Sequence, residues 1–370
     1  MAVPILSFFT GAGFFDLGFE QAGFNVCWTN ENNPAFVKGY EHGMSSWLSS
    51  LGKKCRVKAK IANNGSVCDL SASQVLEEAF SGLRPTIFGV IGGPPCPDFS
   101  RGGTHAGGDG SNGKLTSTFV DMLCNLRPSF FVIENVSGLY RFRKHREFLE
   151  RKIQQLREHG FAVDYKILNA LEFGVPQNRE RLFVVGFKKP LAECAIEREL
   201  AVDEKDWLMW PEVKSYQGVK LLAWPKVVAF GKQPSKPDEI PIELTVYPAL
   251  LGNGDPEKIA NGKDWFNPYS SKFKEIKEGD VSGKSFKRLH RYRFSPTAWY
   301  GNREVHLHPW KARRLSVREA LRIQSVPDEY IFPDDISLSA KFKMTCNGVP
   351  CAMAYHLAGA VQCFLKKAIQ

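Results

Sequence analysis

Short apolar runs recur along the first half of the chain, and each is bounded by polar or turn-forming residues. This pattern predicts buried strands at 4–9, 25–30, 86–91, 130–134 and 182–187. Val67–Leu70 predicts the end of one further short extended segment. Amphipathic stretches at 15–22 and 143–159 predict helices between the strands. Strands that alternate with helices predict an α/β fold with a doubly wound, mostly parallel sheet.

The pattern changes at about residue 188. Residues 188–310 are rich in Trp, Pro and Lys and lack helical or strand periodicity, which predicts a second, smaller and irregular domain. Periodicity returns in an amphipathic stretch at 316–325 and an apolar one at 352–368. We expect a first domain at 1–187, a second domain with a hinge at 188–340, and a C-terminal helix at 341–370 that returns to the first domain.

Composition narrows the class of protein. The formal net charge of +10 favours a polyanionic partner such as nucleic acid. The nine cysteines include no CxxC pair, so we expect reduced thiols, no metal site and a cytoplasmic location. No run approaches the ~18 apolar residues of a membrane span, and no membrane association is expected.

A cysteine follows two prolines at the end of a predicted strand, in Gly93-Pro94-Pro95-Cys96. Proline restricts its own backbone and that of the preceding residue, so this turn is stiff. Ligands of open α/β sheets bind at the carboxyl ends of the strands. Cys96 is therefore a candidate nucleophile, and the alternative is a small buried apolar side chain.

Glycines and acids at other strand ends indicate a nucleoside site. Gly11 and Gly13 join the first strand to a helix, where the backbone can approach a ligand. Glu31 ends the second strand and could bind ribose hydroxyls, and Asp69 could accept a hydrogen bond from an exocyclic amine. A dinucleotide and S-adenosylmethionine both fit this spacing.

Two further segments carry candidate charged groups. Glu134 follows the apolar run 130–133, where partial desolvation would let its carboxyl hold a proton near neutral pH. Arg179 and Arg181 alternate in an extended segment, so we expect them to project together towards a phosphate, carboxylate or base carbonyl. The alternatives are a surface glutamate at a turn and an ion pair with Glu180 or a nearby acid.

Taken in order, these motifs resemble those of the cytosine-C5 DNA methyltransferases of bacterial restriction–modification type. The resemblance covers about 1–187 and 310–370, including Arg314–Glu319, Pro327–Tyr330 and the terminal segment Asn347–Pro350. The unmatched residues lie where that family has its variable target-recognition domain. The departures from the family pattern are Pro97, Phe14, Asn32 and Cys346, and they leave details of the cofactor pocket open.

The resemblance implies methyl transfer from S-adenosylmethionine to C5 of a cytosine flipped out of duplex DNA. Cys96 would attack C6, Glu134 would protonate N3, Arg181 would bind O2, and Arg179 would support the site or a phosphate. Gly102–Gly113 would form a closing loop. The implied cofactor-binding residues are Phe9, Gly11, Gly13, Glu31, Asp69, Leu70, Pro94, Asn347 and Val349.

A basic strip in the second domain is the candidate DNA contact, and its alternative is a solvated basic face. The implied DNA-binding residues are Ser100, Lys284, Lys287, Arg288, Arg291 and Arg293. Trp299, Tyr300 and Asn302–Glu304 are candidates for base contacts. We expect a monomer that acts on double-stranded DNA, with a separate cognate restriction endonuclease as a further candidate partner.

Three other functions compete with this interpretation. A tRNA cytosine-C5 methyltransferase lacks support because its Cys-Phe-Thr signature is absent and the recognition segment is large. A catalytically silent nucleic-acid binder is disfavoured by the intact Cys96, Glu134, Arg179 and Arg181. An NAD(P) oxidoreductase would not explain these motifs together.

Overall fold

A computed structural model describes residues 2–52, 59–95, 111–201, 203–252, 254–283, 285–297 and 306–370, with the backbone alone at 111–112. Its centre is a six-stranded sheet. From one edge to the other, the strands are β2 (Asn25–Asn30), β1 (Pro4–Phe8), β3 (Gly89–Gly92), β4 (Phe130–Val136), β7 (Glu180–Lys188) and β5 (Phe161–Asn169). Strand β7 runs antiparallel to both of its neighbours, and the other pairs are parallel.

Helices cover both faces of this sheet. The helices of the described residues are α1 (Phe14–Gln21), α2 (Pro34–Ser50), α3 (Ala72–Phe80), α4 (Ser111–Leu126), α5 (Gly138–Arg141), α6 (Arg143–Glu158), α7 (Lys189–Ile196), α8 (Lys272–Glu275), α9 (Val317–Ile323), α10 (Leu338–Asn347) and α11 (Cys351–Ala368). Of these, α1, α7 and α11 pack on one face of the sheet, and α3, α4 and α6 pack on the other. Side chains alternate along β4, so Phe130 and Val132 pack with α1, α7 and α11, whereas Phe131 and Ile133 pack with α3, α4 and α6. The predicted doubly wound, mostly parallel sheet is confirmed.

The structure corrects some of the predicted elements. Val67–Asp69 form a single turn of 3-10 helix rather than a strand end, because the Ser66 side chain accepts a hydrogen bond from the amide of Cys68 and turns the chain. Strand β5 was not predicted, since charged residues interrupt its apolar alternation. The antiparallel direction of β7 follows from its short connection to β5, which the apolar pattern does not encode.

Irregular structure prevails between α7 and α9, as predicted. The described residues there form short 3-10 and π turns, α8 and two small ladders. In one ladder, β6 (Gln177–Asn178) pairs with β9 (Ser295–Pro296); in the other, β8 (Lys287–Arg288) pairs with β10 (His306–Leu307). The β6–β9 ladder joins the start of β7 to the irregular region.

The C-terminal helices return to the sheet. Helix α11 packs so closely on α1 that a Cβ on Gly18 would lie 2.4 Å from Cβ of Ala354. Within the described residues, 338–368 is the one helical stretch long and apolar enough to cross a membrane. It is divided between α10 and α11, and the apolar face of α11 is buried in the core, as in the core helix of a globular domain.

Candidate active site

Three parallel strands bring the predicted motifs to one edge of the sheet. Phe8 of β1 pairs with Gly92 of β3, and Gly92 pairs with Ile133 of β4. The residues that follow these three, which are Phe9, Gly93 and Glu134, therefore lie side by side near this edge of the sheet. Strand β7 begins at the same edge because it runs in the opposite direction.

Glu134 forms an ion pair with Arg181 at this edge. Arg181 Nε lies 2.8 Å from Glu134 Oε1, and the two side chains are 13% and 12% exposed. A Cβ on Gly93 would lie 3.0 Å from Glu134 Oε2, so the backbone of the proline turn passes close to this carboxylate. Cys96 and Pro97 follow within four residues and lie outside the described residues.

Arg179 occupies a different environment from Arg181. It is fully buried, and its Nη2 donates to the carbonyl oxygens of Cys346 at 2.9 Å, Asn347 at 3.3 Å and Gly348 at 3.0 Å. The expectation that both arginines project together towards an anion is therefore wrong for Arg179, because its guanidinium binds the turn between α10 and α11. Glu180 pairs with Arg141 rather than with either arginine.

The glycine loop and the end of β2 form a second polar site. Glu31 Oε2 accepts from the amide of Gly11 at 2.9 Å, and Oε1 accepts from that of Asn33 at 2.9 Å. Burial raises the pKa of Glu31 above its ordinary value, and these backbone donors oppose the rise. At Gly11, φ is +56°, and a Cβ would meet nothing within 4 Å, so space is open beside the loop.

The remaining candidate cofactor residues are distributed around this loop. Phe9 is half-buried, with its ring edge-on to Phe119 at 5.6 Å. Gly13, at φ +75°, precedes α1, where a Cβ would lie 2.6 Å from the ring of Tyr40. Asp69 and Asn347 are exposed, Leu70 is half-buried and Pro94 is buried. The side chain of Val349 packs in the core, which corrects its assignment and leaves only its backbone for a ligand.

Residues that the sequence analysis did not assign hold the glycine loop from behind. The Tyr330 hydroxyl lies 2.7 Å from the carbonyl oxygen of Ala12 and 3.2 Å from that of Gly39. Phe14 packs edge-on against Tyr330 with ring centres 5.3 Å apart, and a Cβ on Gly348 would lie 2.3 Å from Phe14 Cδ2. The side chain of Phe14, which is one of the departures from the family pattern, therefore fills the space between Tyr330 and Gly348. In the sequence, the resemblance at Pro327–Tyr330 is the feature that points to this contact.

A buried carboxyl lies behind the same loop. Asp16 accepts hydrogen bonds from Ser7 Oγ at 2.6 Å and from the Tyr40 hydroxyl at 2.9 Å. Desolvation by complete burial raises the pKa of Asp16 to about 7, although both hydrogen bonds lower it. Nothing in the sequence pattern distinguished this aspartate from an exposed one in the first turn of a helix.

The structure contradicts part of the predicted DNA-contacting strip. Arg288 is fully buried, and its guanidinium donates to the carbonyl oxygens of Phe273, Ile276, His308 and Lys311. A side chain in this position cannot reach a phosphate, so its assignment is corrected.

The other residues of the strip differ in how accessible their side chains are to a DNA phosphate. Arg291 pairs with the fully buried Glu278 at 2.8 Å, which balances its charge. Lys287 and Arg293 are half-buried. Ser100, Lys284, the candidate base contacts at 299–304 and the predicted closing loop up to residue 110 lie outside the described residues.

Comparisons with known proteins agree with these motifs. Residues 3–363 match the family model described as C-5 cytosine-specific DNA methylase. The chain is 42% identical over 370 residues to the Type II methyltransferase M.NmeDI of Neisseria meningitidis serogroup C, which covers 98% of this chain and 84% of the relative. It is 29% identical to M.MthTI of Methanothermobacter thermautotrophicus, with 98% of each chain covered.

Solved structures support the fold. A prophage-encoded candidate DNA modification methyltransferase from E. coli superposes with a TM-score of 0.63 at 22% identity, covering 99% of this chain and 100% of that one. The Dnmt2 methyltransferase of S. pombe superposes with a TM-score of 0.58 at 12% identity, covering 99% of both chains. The expected family is confirmed: this chain belongs to the C-5 cytosine-specific DNA methylases and is a DNA cytosine-5 methyltransferase.

Proposed function

We propose that Cys96, Glu134 and Arg181 carry the methylation of a cytosine that is flipped out of a specific sequence in duplex DNA. The observation that supports this assignment is the Glu134–Arg181 pair, which lies against the backbone of Gly93. Two prolines, Pro94 and Pro95, separate that glycine from Cys96. A thiol carried by this turn would stand beside a carboxyl group and a guanidinium, which are the groups that a cytosine edge requires.

The proposed chemistry begins with the thiolate of Cys96, which forms a bond to C6 of the cytosine. In its protonated form, Glu134 gives a proton to N3 in the same step, and Arg181 binds O2, so that the electrons of the C5–C6 double bond become available at C5. After methylation, a base removes the C5 proton, Cys96 leaves C6, and N3 returns its proton to Glu134. The double bond and the free thiolate are thereby restored.

We further propose S-adenosylmethionine as the cofactor, which supplies an electrophilic methyl group when bound. The residues around the glycine loop fit this ligand because Gly11 faces open space and Glu31 is fixed beside it by two backbone amides. Phe9, Asp69 and Asn347 would complete the site, together with Gly13, Leu70, Pro94 and the backbone of Val349. Arg179 would position Asn347 by holding its carbonyl group.

Residues 188–340 are proposed to contain the target-recognition domain, with Lys287 and Arg293 as the described candidates for phosphate contact. We also propose a monomeric enzyme of the cytoplasm, paired with a separate restriction endonuclease. The irregular structure between α7 and α9 supports a recognition role, because binding residues concentrate on loops that a rigid scaffold positions.

The first experiment is bisulfite sequencing of a random-sequence DNA duplex library after incubation with the protein and S-adenosylmethionine. We expect protected cytosines in one short sequence context. Cys96→Ser should abolish protection and retain DNA binding. The matched variant Cys363→Ser removes an exposed thiol from α11 and should leave the pattern unchanged.

Each result decides a different part of the proposal. Methylation at the wild-type rate by Cys96→Ser would overturn the assignment of the nucleophile. A folded protein that binds S-adenosylmethionine and protects no cytosine in DNA would overturn the choice of substrate, and tRNA would be tested next.

A further inference from the structure

The segment that follows β4 is basic and exposed. Strand β4 ends at Val136, two residues after Glu134, and α5 then leads to four consecutive exposed residues, Arg141, Phe142, Arg143 and Lys144. The side chain of Arg143 is 95% exposed and that of Arg141 is 49% exposed. The chain therefore places cations at the edge of the sheet that holds the Glu134–Arg181 pair, outside the strip indicated by the sequence.

One carboxylate connects this segment to the irregular region. Glu180 Oε2 lies 2.8 Å from Arg141 Nη2, and Glu180 Oε1 lies 3.6 Å from Lys220 Nζ. Glu180 directly precedes Arg181 in β7. The two cations from distant parts of the chain therefore meet one residue away from the active-site ion pair.

The charges of this surface do not balance. We use the term basic rim for Arg141, Arg143, Lys144, Arg146 and Lys220. Within the part of the chain that the structure describes, the ion pairs of the rim involve two acids, Glu180 and Glu147. The Glu147 contact is an exposed (i, i+4) pair, which holds a guanidinium only weakly.

Arg146 holds the basic rim in place through two contacts with Tyr140. Its Nε donates to the carbonyl oxygen of Tyr140 at 2.7 Å, and its guanidinium lies 4.5 Å from the centre of the Tyr140 ring. This packing fixes the connection between α5 and α6. The exposed cations are therefore carried by an ordered segment, and their spacing is set by the fold.

We infer that the basic rim binds the sugar-phosphate backbone of the DNA duplex on the catalytic side of the target cytosine. This inference rests on the proposed function, because it takes DNA as the polyanion. A row of cations with excess positive charge suits a polyanion, and its position one residue from Arg181 suits a backbone that must come close when the base enters the site.

The test is the salt dependence of duplex binding. Arg143→Gln with Lys144→Gln removes two exposed charges from the first turn of α6, where the helix dipole disfavours cations, so the fold should be retained. Each lost phosphate contact should reduce the slope of log K against log salt by about 0.9, so we expect a reduction of about 2 units. Fluorescence anisotropy of a labelled duplex at several salt concentrations measures this slope.

Two control variants accompany the test. Lys366→Gln with Lys367→Gln makes the same charge change at exposed positions near the end of α11, and it should leave the slope unchanged. Arg143→Lys with Lys144→Arg retains both charges and should retain the slope. The sequence context of the protected cytosines should be the same in all variants, because the rim contacts no base, whereas the extent of protection should fall in the rim variant as its binding weakens.

The two proposals fail in distinguishable ways. A wild-type protein that neither binds nor methylates duplex DNA would overturn the proposed function. A wild-type protein that does both, together with a rim variant whose salt slope equals that of the wild type, would overturn the rim alone. An equal loss of slope in the α11 control would also overturn it, since the effect would then come from net charge.

Discussion

Asp16→Asn tests the electrostatics of the framework behind the glycine loop. The Asp16 carboxyl is fully buried between Ser7 and Tyr40, and desolvation raises its pKa from 3.8 to about 7. In the unfolded chain the carboxyl returns to water and to its ordinary pKa. The folded state therefore binds a proton more tightly than the unfolded state does.

The sign and size of the effect follow from this difference. A raised folded-state pKa contributes stability that is fully present below about pH 4 and is lost as the pH rises through about 7. The difference of about three pKa units corresponds to about 4 kcal/mol, at 1.36 kcal/mol per unit. Between about pH 5 and 6.5, the wild type should lose about 1.4 kcal/mol per pH unit relative to Asp16→Asn.

Urea unfolding at a series of pH values measures the effect as the difference in unfolding free energy between the wild type and Asp16→Asn. Asp334→Asn, at an exposed position in a loop before α10, is the matched control, and its profile should run parallel to that of the wild type. Parallel profiles for Asp16→Asn as well would refute the reasoning, because Asp16 would then carry the same charge in the folded and unfolded states.

Two further predictions concern residues that the structure revealed. Tyr330→Phe leaves the buried carbonyl oxygen of Ala12 without the hydroxyl that binds it and should lower the free energy of unfolding by roughly 1–3 kcal/mol, as measured by urea unfolding; an unchanged free energy of unfolding would contradict this role. Arg288→Met leaves four carbonyl groups without their donor and should destabilise the fold by about 3 kcal/mol or more without changing the salt slope of DNA binding. Full stability together with a smaller slope would show instead that Arg288 contacts phosphate.

The parts of the site that the sequence predicted correctly share one physical basis. Apolar runs indicate where strands end, and parallel strands end at one edge, so the approach of Glu134 to the backbone of Gly93 was predictable. The pairing of Glu134 with Arg181 was partly predictable, because an ion pair with a nearby acid was one of the alternatives considered. The sequence did not indicate which acid would be the partner.

The predictions that failed depend on partners distant in the chain. The window around Arg288 contains no acid, which suggested a free basic strip, yet Glu278 reaches Arg291 from outside that window. The buried guanidinium of Arg288 binds the carbonyl groups of four residues, and no repeating pattern in the sequence indicates that these residues lie near Arg288. Local charge density is therefore a poor guide to phosphate contacts where the fold is irregular. Exposure and remote pairing decide them. Exposure favours the basic rim, where the Arg143 side chain is 95% exposed, although Glu180 pairs with Arg141 and Lys220 from a distant part of the chain.

Direct contacts connect the proposed cytosine site to the proposed cofactor site. Arg179 binds the turn at 346–348, and Arg181, two residues later, binds Glu134. The same turn places Gly348 against Phe14, the first residue after the glycine loop. A Cβ at Gly348 would overlap Phe14, so any side chain there must displace either the loop or the turn, and a displaced turn moves the partner of Arg179. A change in the turn at 346–348 would therefore reach both Arg179 and the glycine loop, because close-packed elements transmit small shifts.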